Sequence, residues 1–301
     1  MHPPLRSRSA GRARLKRLAA ALLLCLALGA AASWAAGSAM TAGRRSIVRP
    51  AEPPAADFFL QSADGTRLAA TFRPGRTGRS PAVLLLHGVR ASREATAPGA
   101  AWLSGLGYAA LTIDFRGHGG SDVADRTFGL REAMDAEAGF RWLRRRQSGA
   151  PVAIVGTSLG GAAALLGDKG PLPADALVLQ AVYPDIRRAI RNRIAARLGR
   201  PAAWLLEPLL SFQSLPRFGV PPSRLSPLRA LSRYRGPVLV IGGLDDAYTP
   251  PGETRALFRQ APGPRALWLI PGKDHAALGD LADEAYRRRV RLFLERTIGR
   301  P

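Results

Sequence analysis

Gly156-Thr157-Ser158-Leu159-Gly160 follows the strand-forming run 152–155 directly, and the small residues 161–164 come straight after it. In a strand–turn–helix setting of this kind a serine can become a nucleophile. The sharp turn lifts its side chain clear of the sheet and leaves the next backbone N–H at a helix N-terminus, where a developing oxyanion can be held. Glycine at both flanks keeps the turn clear of the neighbouring strand and helix. A serine hydroxyl attacks only when a base takes its proton, and that base must itself be oriented. Of the four histidines, His2 lies in the leading segment, His87 ends LLLHG and His118 sits in RGHGG. Only His275 follows Ser158, in LIPGKDHAAL, a loop after a strand from which a base can reach back over the sheet edge.

The acid that orients such a base belongs in the loop after PVLVIGG, where Asp245 and Asp246 stand in GGLDDAYTP. It would accept the imidazole N–H, fix its tautomer and stabilise the imidazolium. The spacing of Gly243, Asp246 and Pro250 favours Asp246, with Asp245 as the alternative acid; the other aspartate would serve the turn or cap the next helix. A second oxyanion donor is expected at His87-Gly88-Val89-Arg90. Gly88 lets the backbone turn inward, so the Val89 N–H joins that of Leu159. His87 itself reads better as a hydrogen-bonded loop anchor than as a base. The guanidinium of Arg90 beside this site suits a carboxylate or phosphate, or is an ordinary exposed loop arginine.

These residues need a scaffold of alternating strands and helices. DFFLQ (57–61), a turn at Asp64-Gly65 and RLAATFRP (67–74) predict a hairpin. PAVLLLHG (81–88) is an apolar run too short for a helix, as strands covered on both faces are. A helix over 94–106 leads to a strand opening GYAALTIDFRGHGGSD (107–122), and an amphipathic helix covers 131–146. After the nucleophile turn come strands at 175–180, 237–243 and 265–270, with helices near 253–261 and 282–298. The expectation is an α/β protein with a mostly parallel sheet and an antiparallel start. Residues 183–235 separate two core strands by more than one crossover needs, and hold eleven Arg against one Asp and one Glu. Within them, Ile186, Ile190, Ile194 and Leu198 stand four apart on one helical face. That stripe either packs on the domain as a lid helix or marks a basic interfacial helix that touches lipid.

The net charge of +22 comes almost wholly from Arg, with Lys only at 16, 169 and 273. That is the residue usage of a GC-rich genome, and no basic module interleaved with aromatics accompanies it, so no nucleic-acid partner is expected. Arg6, Arg8, Arg12, Arg14, Lys16 and Arg17 precede an uncharged apolar run at 18–36. Residues 1–36 therefore read as a signal peptide, with a small-residue site at Ser33-Trp34-Ala35, or as an N-terminal membrane anchor with its N-terminus cytoplasmic. A Pro-rich linker over 37–56 precedes a domain over 57–301, with 183–235 as its cap insertion. This organisation puts the domain in the cell envelope, periplasmic, extracellular or held at the inner membrane. Cys25, in the apolar run, is the only cysteine, so the domain has no disulfide, thiol nucleophile or cysteine metal site.

HGVR, DFRGHGGSD, GTSLGG, GGLDDAYTP and PGKDHAAL, in this order and at these separations, resemble the α/β-hydrolase superfamily over about residues 57–299. The likeness is nearest to bacterial serine hydrolases of the serine-aminopeptidase-like and dienelactone-hydrolase-like kind. It implies an eight-stranded, mostly parallel sheet with helices on both faces and a small helical cap. It also implies Ser158 as nucleophile, His275 as base, Asp246 as acid, and Val89 and Leu159 as oxyanion donors. Serine at the elbow speaks against the dehalogenase and epoxide-hydrolase branches, and HGVR departs from the HGGG of some lipases. The resulting expectation is a cofactor-free serine hydrolase that cleaves carboxylic esters through an acyl-enzyme and takes a small-molecule ester or peptide substrate. An aminopeptidase, an amidase or an acyltransferase would use the same triad. A protein of another class, a catalytically silent hydrolase fold that binds membrane surfaces through 18–36 and the basic cap, would keep the arginines without the chemistry. Nothing in the sequence bears on oligomeric state.

Overall fold

The strands that carry the candidate residues lie side by side in one sheet. The computed structural model describes residues 8–278 and 283–301; His2 and Arg6 of the leading segment, and Ala282 at the expected start of the last helix, lie outside the described residues. The chain divides into two units between Met40 and Thr41. The first is α1 (Arg8–Thr41), in which Arg14–Thr41 is long and apolar enough to cross a membrane by length and composition. Helix continues past the apolar run to Thr41. The rest of the expected linker is irregular up to the first strand, yet tied down: the Arg44 and Ser46 N–H groups donate to the carbonyls of Gly117 and Gly119 at 3.0 and 2.9 Å.

The second unit holds eight strands: β1 (Ala56–Gln61), β2 (Arg67–Arg73), β3 (Ala82–Leu86), β4 (Ala109–Ile113), β5 (Val152–Thr157), β6 (Ala176–Gln180), β7 (Val238–Gly243) and β8 (Arg265–Ile270). They form a single sheet in the order β1-β2-β4-β3-β5-β6-β7-β8. β1 pairs antiparallel with β2, and β2 with β4; every later pairing is parallel. Eight strands, mostly parallel with an antiparallel start, is the expected architecture. β3, β4, β6 and β7 are buried at every position, as their unbroken apolar runs require.

Successive side chains of these strands point to opposite faces, and helices cover both. On one face Val83, Leu85, Val155, Val178 and Ile241 pack with Leu103 of α2 (Ala97–Gly105) and with Val290 and Leu294 of α9 (Glu284–Thr297). On the other, Gly139 of α3 (Glu132–Arg146) approaches Leu84 and Ile113 so closely that a Cβ there would meet both side chains within 3.4 Å. The helix after β5 is α4 (Leu159–Leu165), and α8 (Pro251–Gln260) follows β7.

The cap insertion comprises α5 (Ile186–Ser211), α6 (Ser214–Phe218), one turn of 3-10 helix at Pro222–Arg224, and α7 (Pro227–Leu231). α5 is two helices joined at Gly199, whose φ of 81° and ψ of 167° break the helical path. Pro201 then opens the second segment, where its missing N–H costs nothing. The stripe read from the sequence lies wholly before this break and is buried only in its first part. Ile186 and Ile190 are buried, but Leu198 is 63% exposed. Beyond the kink, Trp204, Leu205 and Phe212 also stand exposed. The second segment still buries Ala203, Glu207 and Ser211 but turns its large apolar side chains outward.

Candidate active site

β5 delivers Ser158 into a backbone conformation that few non-glycine residues adopt, with φ 49° and ψ −106°. That strain, about 1–3 kcal/mol, persists only where the surroundings over-determine it. Here they do. The Ser158 N–H is held by the Gln180 carbonyl at 2.8 Å. A Cβ on Gly160 would collide with the Leu86 carbonyl of β3, and one on Gly156 would lie 2.6 Å from the Gly161 backbone of α4. The two glycines thus let strand, turn and helix close around a serine that is 3% exposed.

The loop after β3 passes the same point. A Cβ on Gly88 would lie 3.8 Å from the Ser158 Cβ, so the backbone of His87-Gly88-Val89 runs beside the nucleophile candidate. The Leu159 N–H opens α4 and has no acceptor within its own helix. Neither it nor the Val89 N–H donates a hydrogen bond among the described residues. Arg90 follows on the exposed side of the loop with φ 64°.

After β7, the two aspartates separate by burial. Asp246 is 2% exposed, whereas Asp245 is turned to solvent and its N–H is bound by the Lys273 carbonyl. One Asp246 oxygen accepts the N–H groups of Tyr248 and Thr249, each at 2.8 Å. The other lies 2.9 Å from Nδ1 of His275. Because a carboxylate only accepts, the His275 ring donates through Nδ1, which leaves Nε2 free to take a proton. The structure thus brings Asp246, and not Asp245, to His275.

The remaining histidines are occupied otherwise. His87 Nδ1 donates to the Gly88 carbonyl at 2.7 Å, and its Nε2 accepts the Phe115 N–H at 3.1 Å, so both nitrogens serve loop backbone. Burial, with His118 nearby, pushes its pKa down to about 3 and keeps it neutral. His118 donates from Nδ1 to the Arg116 carbonyl at 2.9 Å, and burial lowers its pKa too.

Four residues of the acid loop, the cap and the loop after β4 were not singled out from the sequence. Tyr248 sets its ring edge-on against His275 with centroids 5.4 Å apart. Arg193 of α5 lies over that tyrosine, its guanidinium 5.1 Å from the ring centroid. Asn192, beside it, donates to the Tyr248 carbonyl at 3.1 Å and to Glu253 at 3.0 Å, and so fastens the cap to the acid loop. Arg126 lies buried in the loop after β4, its Nε without a partner among the described residues. Only the position of Tyr248 two residues after Asp246 hinted at any of these.

Residues 79–219 match the family described as serine aminopeptidase, S33. An uncharacterised protein of Mycobacterium tuberculosis is 30% identical over 249 residues, covering 81% of each chain. A lysophosphatidylserine lipase of Danio rerio is 33% identical over 119 residues, 37% of this chain and 30% of its own. Among solved structures, an esterase of Pyrococcus furiosus superposes with a TM-score of 0.70 at 22% identity, over 86% of this chain and 99% of that one. With its sheet order, a serine at the strand-to-helix elbow, the family match and a relative similar over 81% of its length, the chain belongs to the α/β-hydrolase superfamily and is a hydrolase.

Proposed function

We propose that the chain is a serine hydrolase that cleaves carboxylic esters through an acyl-enzyme. Ser158 Oγ attacks the ester carbonyl while His275 Nε2 takes its proton. The Val89 and Leu159 N–H groups receive the oxyanion. Collapse of the tetrahedral adduct expels the alcohol, which takes its proton from His275. Water, deprotonated by the same imidazole, then releases the acid and restores Ser158. Asp246 holds His275 in the Nδ1–H tautomer and stabilises the imidazolium in both halves of the cycle. The observation that carries this reading is the 2.9 Å contact between the buried Asp246 and His275 in a fold whose elbow serine is strained.

An amide-cleaving reading is favoured by the aminopeptidase description of the family that residues 79–219 match. Acyl transfer would follow if the cap kept water from the acyl-enzyme. The two main readings separate in one experiment: a 4-nitrophenyl ester and the matched 4-nitroanilide, followed from the first turnover. Serine ester hydrolysis predicts a burst of nitrophenol equal to the enzyme concentration and ester turnover at least a hundredfold above the anilide. Faster anilide cleavage, or the absence of a covalent acyl intermediate by intact mass, contradicts it.

Export belongs to the same proposal. Residues 1–36 act as a signal peptide or membrane anchor and 37–56 as the tether of the 57–301 domain, which would work in the cell envelope. The apolar helix Arg14–Thr41 supports this, as do the exposed Trp204, Leu205 and Phe212 on an arginine-rich cap, a combination suited to an anionic lipid surface.

A further inference from the structure

Among the described residues, two of the three buried arginines have carboxylate partners, as do two arginines of the cap. Arg93 is paired with Asp114, and Arg116 with Asp135 and Asp64. In the cap, Arg187 and Arg191 share Glu207, each at 2.8 Å. Three arginines, in the loops after β3 and β4 and in α5, break the pattern. Arg90, Arg126 and Arg193 pair with no carboxylate among the described residues, although Arg126 is only 6% exposed and Arg193 half-buried. Glu132, the acid within electrostatic reach of Arg126, is already bound by the Thr127 hydroxyl and the Thr127 and Gly129 N–H groups.

The three are also close to one another. Arg90 lies within electrostatic reach of both Arg126 and Arg193, and Arg193 within reach of Asp246. Arg90 stands two residues beyond Gly88, whose backbone runs beside Ser158. Arg193 approaches from the cap across Tyr248, the ring that contacts His275. The candidate nucleophile and base are thus bracketed by like charges from two sides. Burial disfavours the charge of Arg126 and Arg193, and Arg90 adds repulsion to both; Arg193 gains some relief from the Ala189 carbonyl at 3.0 Å and from Asp246, whereas Arg126 has only the already occupied Glu132. An anion placed between them would satisfy what the protein leaves open, and guanidinium groups are suited to planar, two-point binding of carboxylate or phosphate oxygens.

We propose that Arg90, Arg126 and Arg193 form an anion-recognising rim, and that the substrate is an acyl ester carrying a carboxylate or phosphate beside its scissile bond. The substrate class rests on the reading of Ser158 as nucleophile; the anion site itself does not. A corollary concerns the peptidase reading: the free α-ammonium of an aminopeptidase substrate would be repelled by the same rim.

The test uses the full chain in detergent, with Arg90→Gln, Arg193→Gln and Ser158→Ala variants. Thermal unfolding is followed against inorganic phosphate and against succinate, with ionic strength held constant by sodium chloride. Wild type and Ser158→Ala are expected to gain several degrees with one of these ions, and which one does so tells phosphate from carboxylate chemistry. Both arginine variants are expected to lose most of that gain. In turnover, mono-4-nitrophenyl succinate against 4-nitrophenyl butyrate probes the carboxylate, and 1-acylglycerol 3-phosphate against 1-acylglycerol the phosphate. The anionic-to-neutral ratio of kcat/KM is expected to fall roughly tenfold to a hundredfold in each arginine variant. No gain in wild type from either ion, or a gain and ratio unmoved in both variants, overturns the rim. An ion-dependent gain lost in the arginine variants, with ester cleavage undiminished in Ser158→Ala, overturns the nucleophile and leaves the rim standing.

Discussion

Nδ1 of His275 lies 2.9 Å from a carboxylate oxygen of Asp246, whose other oxygen is held by the Tyr248 and Thr249 N–H groups. The acid is therefore fixed from one side and orients the imidazole from the other. An asparagine at 246 could keep the shape but would present an amide where the imidazole N–H must be accepted. Asp246→Asn is expected to lower kcat by about 10^4-fold. Asp245→Asn, at an exposed position that does not bond His275, is expected to stay within about threefold of wild type. Steady-state ester hydrolysis by the two variants checks this directly, and equal losses would mean that the acid is misassigned.

The strained serine gives a stability prediction. At φ 49° and ψ −106° glycine is at ease and alanine is not. Ser158→Gly is expected to melt above Ser158→Ala, by an amount reflecting about 1–2 kcal/mol after the entropy of the freer unfolded chain is subtracted. Calorimetry on the pair measures it. An alanine variant as stable as the glycine variant would mean that the turn is relaxed.

The elbow glycines should tolerate no side chain. Gly160→Ala drives its methyl into the Leu86 carbonyl, a backbone atom of a central strand that cannot move aside. A loss of at least about 3 kcal/mol is expected, seen as a large fall in melting temperature or in soluble yield. Gly149→Ala is a useful contrast: no atom lies within 4 Å of its Cβ position, and its cost should be confined to its φ of 78°.

Acid should destabilise the domain through His87. Its folded pKa, pushed down to about 3 by burial, lies below the ordinary 6.5, so the unfolded chain binds the extra proton between those values. The stabilising contribution is therefore complete above pH 6.5 and is lost as pH falls toward 3, by roughly a factor of ten in the folding equilibrium per pH unit. His87→Asn, whatever its stability at neutral pH, is expected to show a shallower decline from pH 6.5 to 4 in denaturant titrations. Parallel curves for the variant and wild type would assign the acid sensitivity elsewhere.

Local chemistry made much of this legible before the structure. All eight strands stand where unbroken or alternating apolar runs put them, because burial on both faces of a parallel sheet leaves a plain mark in the sequence. The Gly156-x-Ser158-x-Gly160 turn was readable because two collisions, with β3 and with α4, demand glycine at those positions. The choice between Asp245 and Asp246 rested on spacing; burial is what separates them, and a loop sequence does not display burial. The cap was less readable. Its four-residue apolar stripe predicts one packed helix, but Gly199 turns the chain and leaves Leu198 exposed. Arg193 was one of eleven arginines in the insertion until tertiary packing set it over Tyr248. Arg126 likewise carries no local sign that its carboxylate partner is missing.

Whether Ser158 is the nucleophile is decided by covalent capture. The full chain is incubated with a fluorophosphonate probe, and the adduct is located by intact mass and peptide mapping. One phosphonyl group per chain is expected, on Ser158, lost in Ser158→Ala and formed far more slowly in His275→Gln. An unlabelled wild type, or a Ser158→Ala variant that labels as well as wild type, would contradict that role.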